Sequence, residues 1–379
     1  MADLWIPDAD LAARHSVKYR KFAPDVLPVW VAEMDTDLAE PVKAALAEAV
    51  AAGDTGYAHP NGLLEAFAGF ASRRWGWAAD PGRMVMMPDV MTAVVAFLTV
   101  ITEPGDTVVV NTPAYPPFLE RVAEIGRRTV QSALAETPAG LALDLTRLEA
   151  DFAAGAAVYL LCNPHNPAGL VLTRGDLLAI AELAERYSVR VIADEIHAPL
   201  VYEGSVHVPF LSLGAPAARR AIALSSASKA WNLAGLKCAV LAAGPEAWAD
   251  VQRIPIDVQY GAGLLGVIAN QAAFEHGDAW LDTVIDALDG NRRLAGTLLR
   301  EEVPQVGYQM PAATYLAWLD FRRTRLGDDP AEELRERGRV ALSNGPHFGE
   351  VGLGFARLNL ASSPERLAEA IHRIATVLA

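Results

Sequence analysis

The sequence predicts an α/β protein with a mainly parallel central sheet, helices on both faces and a smaller α/β domain joined to it. Three observations carry that expectation. Short apolar, β-branched runs alternate with stretches of helical period, the pattern of strand and helix units whose strands lie parallel. Each run ends in a cluster of polar residues, and in such sheets ligands gather outside the carboxyl ends of the strands. The length, 379 residues of which 52% are hydrophobic and 21% charged, allows one large domain with an appendage and a sizeable core.

Taken in order, Leu27 to Asp35, LPVWVAEMD, reads as an extended segment. Pro41 stands where a first helical turn would begin, and Val42, Leu46, Ala49 and Val50 follow at helical spacing. The loop from Gly53 to Gly62 is dense in turn formers yet carries Tyr57, which either pins the turn or reaches a ligand. Leu63 to Trp75 fits an amphipathic helix, and Met84 to Met87 a short strand. Pro88-Asp89-Val90-Met91 then opens an almost wholly apolar run, Thr92 to Ile101, read as a buried helix. The first N–H groups of such a helix have no partner inside it, so the opening is either an anion site or is capped by Asp89.

Thr107 to Val110 reads as a buried strand leading into Asn111 to Phe118, a loop stiffened by prolines. Tyr115 on that loop either stacks on a flat heteroaromatic ring or plugs the core. Val158 to Leu161 runs into Cys162-Asn163-Pro164-His165-Asn166-Pro167-Ala168-Gly169, and Val189 to Ala193 into Asp194-Glu195-Ile196-His197, with a helical pattern from Leu177 to Tyr187 between them. In the last third, Ala272 to Arg300 reads as a long helix, Tyr308 to Phe321 as strands, Ala331 to Leu342 as a helix and Gly354 to Leu360 as a strand before a final helix. The expected organisation is an N-terminal segment, 1–40, belonging to the small domain, a large domain over 41–280 and a C-terminal small domain over 281–379.

Composition excludes several classes of function. A net charge of −14 and a pI near 5.0 lack the basic footprint that sequence-independent nucleic-acid binding needs, and disfavour an anionic membrane surface. The longest apolar stretch, Ala93 to Ile101, is far shorter than the ~20 residues that cross a bilayer. No basic segment followed by an apolar one opens the sequence, so a soluble, cytoplasmic protein is expected. The two cysteines, Cys162 and Cys238, form no metal-ligand pattern and sit in apolar runs, as small buried hydrophobes do.

The sequence is organised around Arg220 to Ala239, RAIALSSASKAWNLAGLKCA, where an apolar run breaks into small hydroxyl residues and presents Lys229. A lysine amine attacks a carbonyl once deprotonated, which desolvation or a nearby cation favours, and Lys237 is such a cation. The small neighbours leave room for a bulky phosphorylated aldehyde, and the hydroxyls of Ser226 and Ser228 suit its phosphate. The plain alternative is a lysine on a serine-rich surface turn.

An enzyme dependent on pyridoxal 5'-phosphate (PLP) needs a lysine, a carboxylate for the pyridine nitrogen, phosphate donors, a stacking ring and an anchor for the substrate carboxylate. The sequence offers each in order: Lys229, Asp194, the opening at Val90 and Met91 with Ser226, Ser228 and Lys237, Tyr115, and the planar fork of Arg357. Asn166 or His197 suits the ring's phenolic oxygen. The strings YPPF, NPHNPAG, DEIH, SSASKAWNLAG and FARLN together resemble the fold-type I PLP enzymes of the class I/II aminotransferase superfamily, over nearly the whole chain.

That resemblance implies that Lys229 is the cofactor lysine, Asp194 its pyridine partner, Asn166 a ring-oxygen ligand, Tyr115 the stacking ring and Arg357 the holder of the substrate carboxylate. Ser226 and Lys237 fall where phosphate ligands occur. Tyr57 falls where a tyrosine reaches the neighbouring subunit's phosphate, in a homodimer with shared active sites. Within the superfamily, SVKY, LPVWVAEMD, DEIHAPLVY followed by HVPF, and SKAWNLAGLK look like the cystathionine β-lyase or cysteine-S-conjugate β-lyase branch. Two positions depart from it: Pro199 replaces an acidic residue, and Asp89 replaces a glycine beside the phosphate, where a carboxylate is expected to point away from that anion.

The implied reaction takes a cysteine S-conjugate, with Lys229 removing the α-proton as general base, and expels a thiol to leave pyruvate and ammonia. An aminotransferase would use the same residues and pass the amino group to a 2-keto acid. A non-catalytic regulator on the same fold is a third reading, against which stands the lack of an appended basic DNA-binding segment.

Overall fold

Seven strands build the large sheet: β1 Met84–Met87, β2 Thr107–Thr112, β3 Arg128–Ala133, β4 Val158–Cys162, β5 Arg190–Asp194, β6 Ile222–Ser225 and β7 Ala239–Ala243. They lie in the order β1-β7-β6-β5-β4-β2-β3. The five strands from β6 to β3 pair in parallel, and only β7 runs antiparallel, to both β6 and β1. This computed structural model describes residues 4–138 and 140–379; Met1 to Asp3, at the start of the expected N-terminal segment, and Ala139 lie outside the described residues.

Alternate residues of β2 enter different cores, Val108 and Val110 on one face and Val109 on the other, as the two-residue period of a strand requires. Both faces are therefore covered, which is why β2 and β4 read as unbroken apolar runs. The helices α1 Glu40–Ala51, α2 Leu63–Trp75, α3 Val90–Ile101 and α5 Arg174–Arg186 follow the expected positions, whereas α4 Pro116–Glu124 begins inside the stretch expected as a loop. Neither β3 nor β7 is marked in the sequence. Arg128–Ala133 is a part-exposed sheet edge without clear alternation, and Ala239–Ala243 is alanine-rich and has little strand propensity of its own.

The expected long helix over Ala272 to Arg300 is two helices, α6 Leu264–His276 and α7 Asp278–Glu302. They meet at Gly277, whose carbonyl accepts the Trp231 indole N–H at 3.2 Å. A Cβ on Gly277 would lie 2.3 Å from that indole nitrogen, so the buried Trp231 sets the break and glycine permits it. The expected helix over Ala331 to Leu342 is α8, Pro330–Arg337. Arg339 then takes a positive φ of 52°, and Val340–Ala341 pairs in parallel with Leu27–Pro28.

A second, antiparallel sheet holds β8 Gly307–Tyr308, β9 Leu316–Asp320, β10 Ser343–Asn344 and β11 Phe355–Asn359, in the order β8-β9-β11-β10. The last helix, α9 Pro364–Leu378, packs Leu367, Ile371 and Ile374 into the same core as Leu319, Leu358 and the N-terminal residues Leu27 and Val29. The N-terminal segment thus shares a core with the last hundred residues. Among the described residues no helix is long and apolar enough to cross a membrane.

Candidate active site

Ladder register decides where the polar residues go. Cys162 pairs with Asp194 and Asp194 with Leu224, so β4, β5 and β6 end level, and the loops that follow them open on one side of the sheet. A cavity of about 380 Å³ lies there, with Tyr115, Asn166, Asp194, His197, Ser226, Ser228, Lys229, Lys237, Val90 and Met91 in its wall. Ten of the twelve expected site residues are thereby brought together. Arg357 stands behind Asn166, and Tyr57 is elsewhere, 90% exposed with its ring 6.3 Å from that of Tyr260.

Lys229 is placed by the way β6 ends. Ser226 caps the short turn Ala227–Ala230 by accepting from the Ser228 N–H at 3.0 Å, and donates its hydroxyl to the Cys238 carbonyl at 2.6 Å. The Ala227 N–H is held by the buried Asn270 at 2.8 Å. The Lys229 amine donates to the Ala32 carbonyl at 3.2 Å, which also accepts the Tyr315 hydroxyl at 3.1 Å. Burial, then the neighbouring Arg357 charge, lowers the Lys229 pKa to about 8, against a smaller opposing pull from Asp194. The amine thus gives up its proton far more readily than an ordinary lysine, moving toward the neutral form that attacks carbonyls and accepts protons.

Asp194 ends β5 and accepts the Ile196 N–H at 3.0 Å. Burial raises its pKa to about 7, so a cationic partner would draw out its charged form. His197 is buried, and burial together with the charges of Lys229 and Arg357 pushes it down to about 3. It is neutral, and its Nδ1 has no hydrogen-bond partner among the described residues. Tyr115 precedes α4 and sets its ring edge-on against Phe118, 5.5 Å between centroids; Phe118 plugs the core while Tyr115 faces the cavity.

At the other end, the N–H groups of Val90 and Met91 begin α3 and so have no intrahelical partner. Asp89, whose carboxylate is expected to point away from the phosphate, belongs to the cavity wall, and both of its oxygens are engaged within the protein. One oxygen caps α3 at the Thr92 N–H, 2.8 Å away, and the other lies 3.2 Å from the Lys237 ammonium. Burial alone would raise its pKa, but the Thr92 N–H and Lys237 outweigh burial and hold it below the usual carboxylate range. Its charge is thereby matched by a cation, which relieves the repulsion that motivated the expectation.

Arg357, on β11, is buried in a cage of acceptors. Nη1 donates to Asn166 Oδ1 at 2.9 Å, Nη2 to the Trp30 carbonyl and Ser343 Oγ at 3.1 Å each, and the guanidinium lies 5.0 Å over the Phe348 ring. Nε has no partner among the described residues. Burial lowers even this pKa, to about 10. The sequence does not mark the Ala32 carbonyl, Tyr315 or Ser343 as parts of the site. A backbone carbonyl leaves no mark there, and Tyr315 sits in a run whose apolar neighbours read as core.

The two cysteines are buried free thiols, as expected. Burial raises both, Cys238 to about 12, so neither is a ready nucleophile.

Residues 25–374 match the model of the family "Aminotransferase class I and II". The chain is 44% identical to a Mycobacterium leprae protein provisionally named a cystathionine β-lyase, over 97% of this chain and 96% of that one. It is 39% identical to the cystathionine β-lyase of Corynebacterium glutamicum, over 97% and 98%. A crystal structure from Corynebacterium diphtheriae, provisionally a PLP-dependent β-cystathionase, superposes with a TM-score of 0.94 at 36% identity, covering 99% of both chains. This chain belongs to the class I and II aminotransferase family.

Proposed function

We propose that the protein is a PLP-dependent carbon–sulfur β-lyase. It converts cystathionine, or a related cysteine S-conjugate, and water into a thiol, pyruvate and ammonia. The observation that carries this reading is the half-buried Lys229 amine, its pKa drawn down to about 8, in one cavity with the Asp194 carboxyl. The relatives named for this chemistry favour the lyase branch over others in the family.

The donor set fits PLP. Open N–H groups at Val90 and Met91, the hydroxyls of Ser226 and Ser228 and the Lys237 ammonium would hold the phosphate. Tyr115 would stack on the ring, Asp194 would pair with its nitrogen, and the unpartnered, neutral His197 or Asn166 would meet its phenolic oxygen. When bound, PLP supplies an electron sink for the substrate's α-carbon.

The protein's own residues do the rest. Arg357 grips the substrate carboxylate with its planar fork. Lys229 takes the α-proton as general base. The bond between the β-carbon and sulfur breaks as the sulfur leaves as a thiol, and water then releases pyruvate and ammonia.

The reading includes a cytoplasmic homodimer in which Tyr57, exposed on one protomer, serves the phosphate of the other. It also divides the chain into a large domain over 41–280 and a small domain formed by 281–379 together with 1–40; the core shared by Leu27, Val29 and α9 supports that division.

The test is a product assay. Purified enzyme with PLP and L-cystathionine, without any keto acid, should form pyruvate and free thiol in steady state. Turnover that appears only with a 2-keto acid would establish the aminotransferase reading, which the family match also favours, and no turnover under either condition would turn the case to a regulator.

A further inference from the structure

We propose that Arg121 selects substrates by the charge at the far end of the sulfur substituent, taking a carboxylate there. The proposal rests on the lyase reading above. Arg121 belongs to the wall of the same cavity as Lys229 and Asp194. It stands four residues after Pro117 on α4, so the two share a helix face, and Pro117 is also in the wall. Phe118 and Val122, on the other face, are fully buried. Helix α4 starts directly after Tyr115, so its exposed turn forms a rim beside the stacking ring.

The other cations of the site are already engaged beside the reacting groups. Lys237 pairs with Asp89, and Arg357 is caged by Asn166, Trp30 and Ser343. Lys229 is the candidate base. Among the described residues Arg121 is bound only to Glu124, one helical turn on, at 2.9 Å, with both side chains about half exposed. Such a surface pair contributes little, so the guanidinium turns toward a ligand at small cost.

The chemistry that fits is an amino-acid end. The Arg121 fork matches a carboxylate bidentately, while Glu124 offers an opposite charge to an ammonium. The apolar sides of Met91 and Pro117 in the same wall suit a thioether chain between the reacting carbon and that charged end. A substrate with a zwitterionic distal group would use all of these; a plain S-alkyl cysteine would use only the last.

The experiment is steady-state kinetics of the holoenzyme, without keto acid, on L-cystathionine, S-ethyl-L-cysteine and S-(2-aminoethyl)-L-cysteine. Arg121→Gln should lower kcat/KM for cystathionine relative to S-ethyl-cysteine by about tenfold or more, as expected for one lost charge-assisted contact, with the loss in KM. Arg121→Lys should restore part of that ratio, and Arg121→Glu should raise the aminoethyl substrate relative to cystathionine. A ratio unchanged in Arg121→Gln, or a loss lying in kcat and equal for all substrates, overturns the proposal. A wild-type enzyme inert toward all three overturns the lyase reading and the proposal with it, whereas wild-type turnover with unaltered selectivity in the variants overturns the proposal alone.

Discussion

Arg357 and Asn166, 191 residues apart in the chain, meet inside the protein at 2.9 Å, guanidinium to amide oxygen. The contact ties the small sheet to the loop after β4 and holds the candidate carboxylate anchor directly behind the cavity wall. Arg357→Lys keeps a positive charge but loses the fork, so it cannot satisfy Asn166, Trp30 and Ser343 and still present two parallel donors. Its KM for the amino-acid substrate is expected to rise on the order of tenfold or more, one charge-assisted bond's worth. Asn166→Ala should also raise KM, because it frees the guanidinium to swing. Steady-state kinetics on both variants checks this; unchanged KM in Arg357→Lys would place the anchor elsewhere.

The Lys229 pKa sets a second expectation. A lysine reacts with an aldehyde only when neutral, and this one loses its proton near pH 8 instead of 10.5. The rate at which apoprotein takes up PLP, followed by the visible absorption it acquires, should therefore rise with pH through a midpoint near 8. Arg357 helps depress that pKa, so Arg357→Ala should move the midpoint upward. Lys229→Ala should acquire no such absorption at any pH.

Asp194 gives a signature in stability. Its folded pKa, about 7, lies above the ordinary value of 3.8 because of burial. The unfolded chain then binds fewer protons at this site between those values, so the group favours the folded state fully below pH 4 and that stabilisation is lost as pH rises toward 7. Apoprotein carrying Asp194→Asn should lack this slope and be the more stable form at neutral pH, by roughly 1–3 kcal/mol. Urea denaturation at pH 4.5 and 7.5 checks it: equal slopes in the two proteins would mean that Asp194 is not buried in the apoprotein.

Most of the large sheet and most of the candidate site were readable from residues, and the reason is local. A strand buried on both faces must be an apolar run, and a polar cluster must follow it, so Asp194, Asn166 and Lys229 announced themselves by position. What stayed hidden depends on contacts far along the chain. The break at Gly277 is made by Trp231, 46 residues away. The strand Val340–Ala341 exists because Leu27–Pro28 lies beside it. The carbonyl of Ala32 matters only because Lys229 and Tyr315 both reach it. The charge of Asp89 is plain in the sequence, but not the Lys237 ammonium 148 residues on that is paired with it.

The segment carrying Ala32 is itself fastened by buried charges. Lys18 donates to Asp35 at 2.6 Å and to the Glu33 carbonyl at 3.0 Å, with both charged side chains essentially inaccessible, while Ser362 and Tyr19 also donate to Asp35. Lys18→Met would take away the nearest cation and leave the buried carboxylate with the more distant Arg366, whose Nε lies 3.8 Å away, a cost on the order of 3 kcal/mol. The double variant Lys18→Met with Asp35→Leu removes both charges and should recover a substantial part of that loss. Denaturant unfolding of the set checks this, and a double variant no more stable than Lys18→Met would show that the two charges are not coupled.

Asp89 and Lys237 decide how an anion is received at the start of α3. With Lys237 present, the aspartate is offset and the helix opening stays receptive to phosphate; without it, a bare carboxylate would sit 2.8 Å from the Thr92 N–H at the edge of the same pocket. Lys237→Ala should therefore weaken PLP binding twice over, by removing a cation and by exposing an anion, and a loss of about tenfold or more is expected. Asp89→Asn keeps the cap geometry and drops the charge, so Asp89→Asn with Lys237→Ala should bind PLP more tightly than Lys237→Ala alone. Titration of the apoproteins with PLP measures all three. If the double variant binds no better than the single one, the aspartate's charge is not felt at the phosphate, and the pairing with Lys237 is a matter of fold alone.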